Sequence, residues 1–159
     1  MQVDVVEQER YWYPDDGGEV WVAGFQLVDA EGRYLGRDAR ELTDAGLRVA
    51  RVAGARDHHA EALQSDAAAP GSALVLRRDL GNEHDANAIA VETGRGELLG
   101  FVPRELAAEL APSLDRGEPW SALVLREQRA TPRDPRSGVT MLLAGVSELH
   151  LRVLPVPRD

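Results

Sequence analysis

The sequence contains no cysteine and no lysine, and it has no long apolar run. Without cysteine, the chain cannot form disulfides, thiolate metal sites or a cysteine nucleophile. No apolar segment approaches the ~18 residues that a membrane-spanning helix requires. The first residues are acidic and aromatic, unlike the basic and apolar regions of a secretory signal. We therefore expect a soluble, cytoplasmic protein that does not bind membranes.

Charge is distributed unevenly along the chain. All 18 basic residues are arginine and they oppose 27 acidic residues, so the net charge is -9. Residues 1–47 carry a net charge of -7, residues 48–130 carry -3, and the remaining tail carries +1. General affinity for polyanions is therefore not expected. Most of the acidity lies outside the central segment.

The first 46 residues are predicted to form an acidic, aromatic-rich β extension. Proline, aspartate and glycine cluster at residues 14–18, which predicts a turn. Residues 19–25 are rich in β-branched and aromatic side chains, which favours a strand. The loop at 29–32 predicts a hairpin that returns through residues 33–35. This section would pack on the rest of the domain, pair with an edge strand, or cover the binding groove.

From Leu47 onward, short strand patterns dominate the sequence. Residues 47–53 alternate apolar and basic side chains, which is typical of a half-buried strand. The other predicted strands are 73–79, 88–92, 98–102, 120–127, 139–144 and 149–154. Residues 60–64 are expected to form a short helical turn.

One longer helix is predicted to begin at Pro103, because proline suits the first helical turn. Leu106, Ala107 and Leu110 give this helix an apolar face. Pro112 is expected near its end, and Asp115, Arg116 and Gly117 are expected to stop it.

These patterns predict a mainly β (α+β) fold. Short strands with one interposed helix are typical of a small, OB-like, partly open barrel with one or two short helices, here with an N-terminal β-hairpin extension. We expect three regions: the β extension at 1–46, the barrel domain at 47–129, and an Arg/Pro-rich loop with C-terminal strands that complete the barrel at 130–159.

Three ordered blocks in the central segment carry a family resemblance. Residues 77–91 read RRDLGNEHDANAIAV, which resembles the loop N-x-[aromatic or His]-D-x-N-A-[I/V] of HIRAN domains. Residues 52–56 read VAGAR and resemble the end of that family's opening strand. Residues 98–107 read LLGFVPRELA and resemble its strand-to-helix element. The segment from Leu47 to Arg129 therefore resembles a HIRAN domain, a small β-barrel module that binds single-stranded DNA ends.

The resemblance implies a nucleic-acid-binding site drawn from all three blocks. Asp85 would recognise the free 3′-hydroxyl of a terminal nucleotide, since a carboxylate accepts its hydrogen bond and repels a continuing phosphate. Arginine suits bidentate contact with phosphate, and an amide can contact the backbone or a base edge. The candidate residues are Arg56, His58, Asn82, His84, Asp85, Phe101 and Arg104.

A structural role is an open alternative for several of these residues. Asn and Asp side chains commonly tie loop backbone together through hydrogen bonds, which could explain Asn82, Asp85 and Asn87. Arg56 and Arg104 could equally be solvated surface charges. Arg77 and Arg78 should alternate faces on their strand, so at most one of them would join the site.

The implied function is non-catalytic binding of single-stranded DNA at a free 3′ end, in DNA repair or processing. No cofactor is expected, and a helicase or nuclease is the partner protein that this context suggests. Asp57 follows Arg56, and His84 precedes Asp85, at positions that are often aromatic in the family. Stacking on an aromatic ring contributes ~1–3 kcal/mol per base, so we expect weak, salt-sensitive affinity.

Two rival functions stay open. One is a protein-interaction module without DNA binding, which would use the aromatic residues of the N-terminal section. The other is a metal-dependent nucleic-acid hydrolase, although the histidines form no HxxxH or HxH pair, and His58 and His59 would point to opposite faces of a strand. No serine lies in a G-x-S-x-G context, so no enzymatic activity is expected. The hydrolase would use His58, His59, His84, Asp85 and His150.

Overall fold

The computed structural model describes residues 1–12 and 19–156; the turn predicted at 14–18 lies outside the described residues. Nine β-strands and four α-helices occupy these ranges. The strands are β1 (Gln2–Trp12), β2 (Val20–Leu27), β3 (Leu47–Arg51), β4 (Ala73–Arg78), β5 (Ile89–Thr93), β6 (Leu98–Phe101), β7 (Ser121–Arg129), β8 (Arg136–Ala144) and β9 (His150–Leu154). The helices are α1 (Arg40–Asp44), α2 (Ala55–His58), α3 (Ala60–Gln64) and α4 (Arg104–Asp115), and residues 66–68 form a 3-10 turn.

Six strands form a curved antiparallel sheet in the order β3–β8–β7–β4–β5–β6. Just after β3, Ala53 meets Phe101 of β6 in a single bridge with two backbone hydrogen bonds of 2.8 and 2.9 Å. The sheet does not close beyond this bridge. The prediction of a mainly β, partly open barrel is therefore confirmed.

The barrel interior is packed with aliphatic side chains from alternate strand positions. Ile89, Val91 and Leu99 have no exposed surface, and Met141 and Leu143 face them from β8. Helices α3 and α4 add buried residues to the same cluster. Each fully buried side chain of this size contributes ~1.5–3 kcal/mol, so this cluster is a main source of stability.

Strand β7 is shared between the barrel and a second layer. One edge of β7 pairs with β8, while the other pairs first with β4 and then, from residue 126 onward, with β2. Gly24 makes the crossing possible. Its φ is 138°, and a Cβ there would lie 2.6 Å from the Arg126 Cα. Strand β2 then pairs with β1, and β1 pairs in parallel with β9.

A second hydrophobic cluster joins this layer to the outside of the barrel. Leu27, Leu42 and Leu142 are at most 2% exposed and belong to it. It fixes the N-terminal section against strands β3, β7 and β8.

The N-terminal hairpin is confirmed, but its strands differ from the prediction. The hairpin consists of β1 and β2, which pair over eight residue pairs. The predicted return through residues 33–35 makes one bridge, between Val28 and Tyr34. The eleven residues of β1 offer β2 a longer edge than this short return does, and the chain turns at 36–39 into α1.

Helix α4 ends at Asp115, which confirms the predicted end after Pro112; the buried Leu110 and Ala111 hold its last turn against the core despite the hydrogen bond that proline removes. Two further local predictions need correction. Only β8 joins the barrel sheet, since β9 pairs with β1. Residues 58 and 59 lie at the junction of α2 and α3 rather than on a strand. The turn at 60–64 is confirmed as α3.

Candidate nucleic-acid-binding site

The loop between β4 and β5 is shaped by the side chain of Asn82. Its Oδ1 accepts hydrogen bonds from the backbone N–H groups of His84 (2.8 Å) and Asp85 (2.9 Å). Its Nδ2 donates to Asp79 Oδ2 at 3.2 Å. Both ends of the amide are therefore used within the loop. This supports the structural alternative for Asn82, while its direct contact with DNA stays a prediction.

Asp85 is half-buried and only one of its carboxylate oxygens is used. Oδ1 accepts a hydrogen bond from the Asn87 backbone N–H at 2.9 Å. Oδ2 accepts none from any residue in the described ranges. Asp85 can therefore hold the loop with one oxygen and present the other to a ligand.

Arg78 anchors this loop to helix α4. Its guanidinium donates to the carbonyl oxygens of Ala86 (2.9 Å) and Ala88 (2.7 Å), and to Asp115 Oδ1 (2.9 Å). Arg77 instead pairs with Glu92 at 2.5 Å. This anchoring role of Arg78 could not be predicted from the sequence, because no local pattern places Asp115 beside it.

Arg104 lies at the start of α4, directly after the end of β6. The Val102 N–H donates to the Ile89 carbonyl at 3.0 Å, which brings the end of β6 beside the end of the loop. The Arg104 Nη2 donates to the His84 carbonyl oxygen at 3.4 Å. The other N–H groups of this exposed guanidinium have no partner among the described residues. Arg104 and His84 are therefore brought together.

Arg56 lies on the short helix α2, which begins after Gly54 in a left-handed conformation (φ 78°). Arg56 is exposed and makes no ion pair within the described ranges. The bridge from Ala53 to Phe101 places the entry to α2 beside β6, and Phe101 is half-buried there. The segment that carries Arg56 therefore begins next to β6, the strand that precedes Arg104.

His58 is exposed and lines a shallow depression with His59, Glu61, Glu97 and Leu98. It is thus surrounded by carboxylates as well as apolar groups. No hydrogen bond or ion pair among the described residues joins His58 or Arg56 to Asp85. The convergence of all seven candidates on one groove stays a prediction, while contacts join Arg104 to His84 and the α2 segment to Phe101.

The hydrolase alternative requires a cluster of metal ligands. Within residues 1–12 and 19–156, no group of three or more histidine and acidic side chains could hold a metal ion. The rings of His58 and His59 are 6.3 Å apart, and His150 lies on β9 beside Glu148. In the same part of the chain, no helix has the length and apolar character needed to cross a membrane.

Comparisons with known proteins agree with the three sequence blocks. The model of the HIRAN domain family matches residues 48–133, which is more than half of the chain. The HIRAN domain of human HLTF is 25% identical, with a TM-score of 0.46, and the match covers 63% of this chain and 76% of that chain. A protein from Lactobacillus plantarum is 26% identical, with a TM-score of 0.46, and the match covers 60% of this chain and 91% of that one. No curated protein matches the chain. On the strength of the family match, the chain belongs to the HIRAN domain family of DNA-binding modules.

Proposed function

We propose that this protein binds single-stranded DNA at a free 3′ end and does not cleave it. The observation that carries the proposal is the unused Oδ2 of Asp85, in a loop that Asn82 and Arg78 hold in place. A fixed carboxylate oxygen accepts a hydrogen bond from a terminal hydroxyl. The same oxygen repels the phosphate of a continuing strand.

Phosphate recognition would come from Arg104 and Arg56. Arg104 lies against the loop through the His84 carbonyl and keeps most of its donors for a ligand. Arg56 is exposed at the start of α2. The planar guanidinium of arginine donates two parallel hydrogen bonds to phosphate oxygens. These two side chains would therefore position the last nucleotides of the strand. Asn82 would act mainly by positioning Asp85.

Affinity is expected to be weak and to fall as salt increases. Few arginines would neutralise few phosphates in a protein of net charge -9. The exposed Asp57 lies beside Arg56 and adds local repulsion. Phe101, His84 and His58 would supply the available rings, of which only Phe101 is a strong stacking partner. A role in DNA repair or processing, with a helicase or nuclease as partner protein, belongs to the same proposal.

The polarity of a single-stranded overhang tests this proposal. Two partial duplexes carry the same single-stranded sequence, in one as a 3′ overhang and in the other as a 5′ overhang, and binding is measured by fluorescence anisotropy. We expect tighter binding to the 3′ overhang and loss of that preference in Asp85→Ala. Glu83→Ala is the matched control, because it removes an exposed acid from the same loop. Equal binding of the two duplexes would reject the end-binding proposal, and cleavage that depends on added divalent metal would favour the hydrolase.

A further inference from the structure

Four arginines outside the proposed end site lie together without a carboxylate partner in the described part of the chain. We call this surface the arginine face; its members are Arg10, Arg37, Arg51 and Arg126. Along β3, Arg51 points to the same face of the sheet as Leu47 and Val49, which pack in the second hydrophobic cluster. The arginine face therefore belongs to the outside of the barrel.

Strand register places two of these arginines on either side of one residue. Thr140 on β8 is directly opposite Arg51 on β3 and directly opposite Arg126 on β7. Side chains directly opposite each other in an antiparallel pair share a face of the sheet. The Arg51 guanidinium lies against the backbone of Gly138, where a Cβ would be 2.0 Å from its Nη2. A glycine at this position allows the guanidinium to lie close to the sheet.

These positive charges repel one another. Burial, together with Arg37 and Arg10, lowers the pKa of Arg126 to about 10. Burial and Arg37 also lower the pKa of Arg51. Arg126 donates one hydrogen bond, to the Phe25 carbonyl oxygen at 3.0 Å. An anionic ligand would relieve this repulsion, and no carboxylate of the described residues does so.

The floor of the arginine face has hydrogen-bonding capacity left over. Gln128 is 8% exposed, and its Nε2 donates to Thr140 Oγ1 at 2.8 Å. Its Oε1 is buried and has no partner in the described ranges. An amide oxygen only accepts hydrogen bonds and this one is buried, so the arginines, and not Gln128, would bind the phosphates of a ligand.

An exposed aromatic ring adjoins the arginines on the β1–β2 hairpin. Trp12 is 46% exposed and lies on the same face of β1 as Arg10. The Arg10 guanidinium lies over the Trp12 ring, 5.4 Å from its centroid. Arginines that track phosphates beside an aromatic stacking platform are the features with which proteins bind single strands independently of sequence. This combination favours a nucleic-acid strand over a simple inorganic anion.

We propose that the arginine face and Trp12 form a second contact for single-stranded DNA, which binds its phosphates and stacks one base away from the 3′ end. This contact does not depend on recognition of the 3′-hydroxyl. Arg51 and Arg56 are five residues apart, so their Cα atoms are at most about 18 Å apart. A single strand is therefore able to reach both surfaces.

Oligonucleotides that end in a 3′-phosphate test this contact separately from the end site. Anisotropy titrations over a range of salt compare the wild-type protein with the double variant Arg37→Ser/Arg51→Ser. Removing two phosphate contacts should reduce the slope of log affinity against log salt by about 1.4. The control is Arg33→Ser/Arg116→Ser, which removes the same charge from exposed arginines paired with acids elsewhere. This control should keep the wild-type slope.

Two further measurements keep the test decisive. Arg37→Ser alone changes an exposed residue outside all strands and helices. The change in salt dependence can therefore be measured with this single variant even where the double variant does not fold. Quenching of tryptophan fluorescence by the oligonucleotide should be lost in Trp12→Leu. Equal slopes in wild type and variants, or no binding of the 3′-phosphate strand, would overturn the second contact. Preference for a 3′-hydroxyl could persist in that case, which separates this failure from failure of the end site.

Discussion

The backbone N–H of Asp85 donates a 2.9 Å hydrogen bond to the side-chain Oδ1 of Asn82. Two residues that the family resemblance assigns to ligand binding are therefore joined to each other. Asn82 sets the position of the carboxylate, and Asp85 presents its second oxygen. This division of roles leads to distinct expectations for the two residues.

Replacing Asn82 should weaken end recognition without removing the carboxylate. Asn82→Ala loses two hydrogen bonds to backbone N–H groups, which should lower the free energy of unfolding by about 1–3 kcal/mol. Preference for a 3′-hydroxyl should fall as well. Asn82→Asp keeps the acceptor oxygen but replaces the donor to Asp79 with a second carboxylate, so it should recover only part of the stability in urea denaturation. If Asn82→Ala kept full stability, the loop would not depend on this side chain.

Arg77 and Arg78 form a matched pair for testing how the loop is anchored. Arg78→Gln removes contacts to two carbonyl oxygens and to Asp115, and should cost about 1–3 kcal/mol. Arg77→Gln removes one exposed ion pair and should cost less than about 1 kcal/mol. Hydrogen exchange at residues 84–88 should accelerate in the first variant only. Similar exchange in both would argue against the anchor.

Glu127 makes stability depend on pH. It is 9% exposed and accepts hydrogen bonds from Arg129 and Arg136. Burial opposes its ionisation, but these hydrogen bonds outweigh burial and hold its pKa below the ordinary value of 4.5. A lowered folded-state pKa gives stability that is present above the unfolded value and lost as the pH falls through the folded one.

The test is Glu127→Gln, which should destabilise the protein by about 3 kcal/mol near pH 7, because it leaves a buried arginine without its counter-charge. The difference from wild type should shrink as the pH drops below about 4.5. Chemical denaturation across this range measures it. A difference that stays constant with pH would contradict the assignment.

Gly24 lies where β2 pairs with β7, and we expect its replacement to destabilise the protein. Gly24→Ala places a Cβ 2.6 Å from the Leu125 carbonyl oxygen and strains a φ of 138°, so it should cost at least about 2 kcal/mol. Gly36→Ala is the control, since nothing lies within 4 Å of its Cβ. Thermal unfolding compares the two, and equal melting temperatures would contradict the close approach of the strands.

Much of the fold could be predicted because its signals are local. Alternation along 47–53 and the proline at 103 each act within a few residues, and both elements form where expected. The parallel pairing of β1 with β9 joins Gln2 to His150, residues with no sequence pattern in common. The predicted partner of the hairpin strand and the predicted place of the last strand in the barrel were wrong for this reason, although both C-terminal strands form.

In the candidate site, too, contacts between residues that are distant in sequence could not be predicted. The three blocks were enough to identify the family. Two links between the blocks, from Arg104 to His84 and from Ala53 to Phe101, follow from pairing between strands that lie in or beside these blocks. The arginine face depends on the register of β3, β7 and β8. Arg51 and Arg126 are distant in sequence, so no spacing rule could have brought them together.

The central claim is that Asp85 recognises a free 3′-hydroxyl. The most direct measurement is an anisotropy titration at low salt with two oligonucleotides that differ only in a 3′-hydroxyl or a 3′-phosphate. The wild-type protein should prefer the hydroxyl end by at least about tenfold, because hydrogen bonds to a charged group contribute ~1.5–3 kcal/mol. Asp85→Asn keeps an oxygen for the Asn87 N–H but lacks the charge, so it should lose most of this preference while remaining folded. Equal affinity of the wild-type protein for the two ends would contradict the claim.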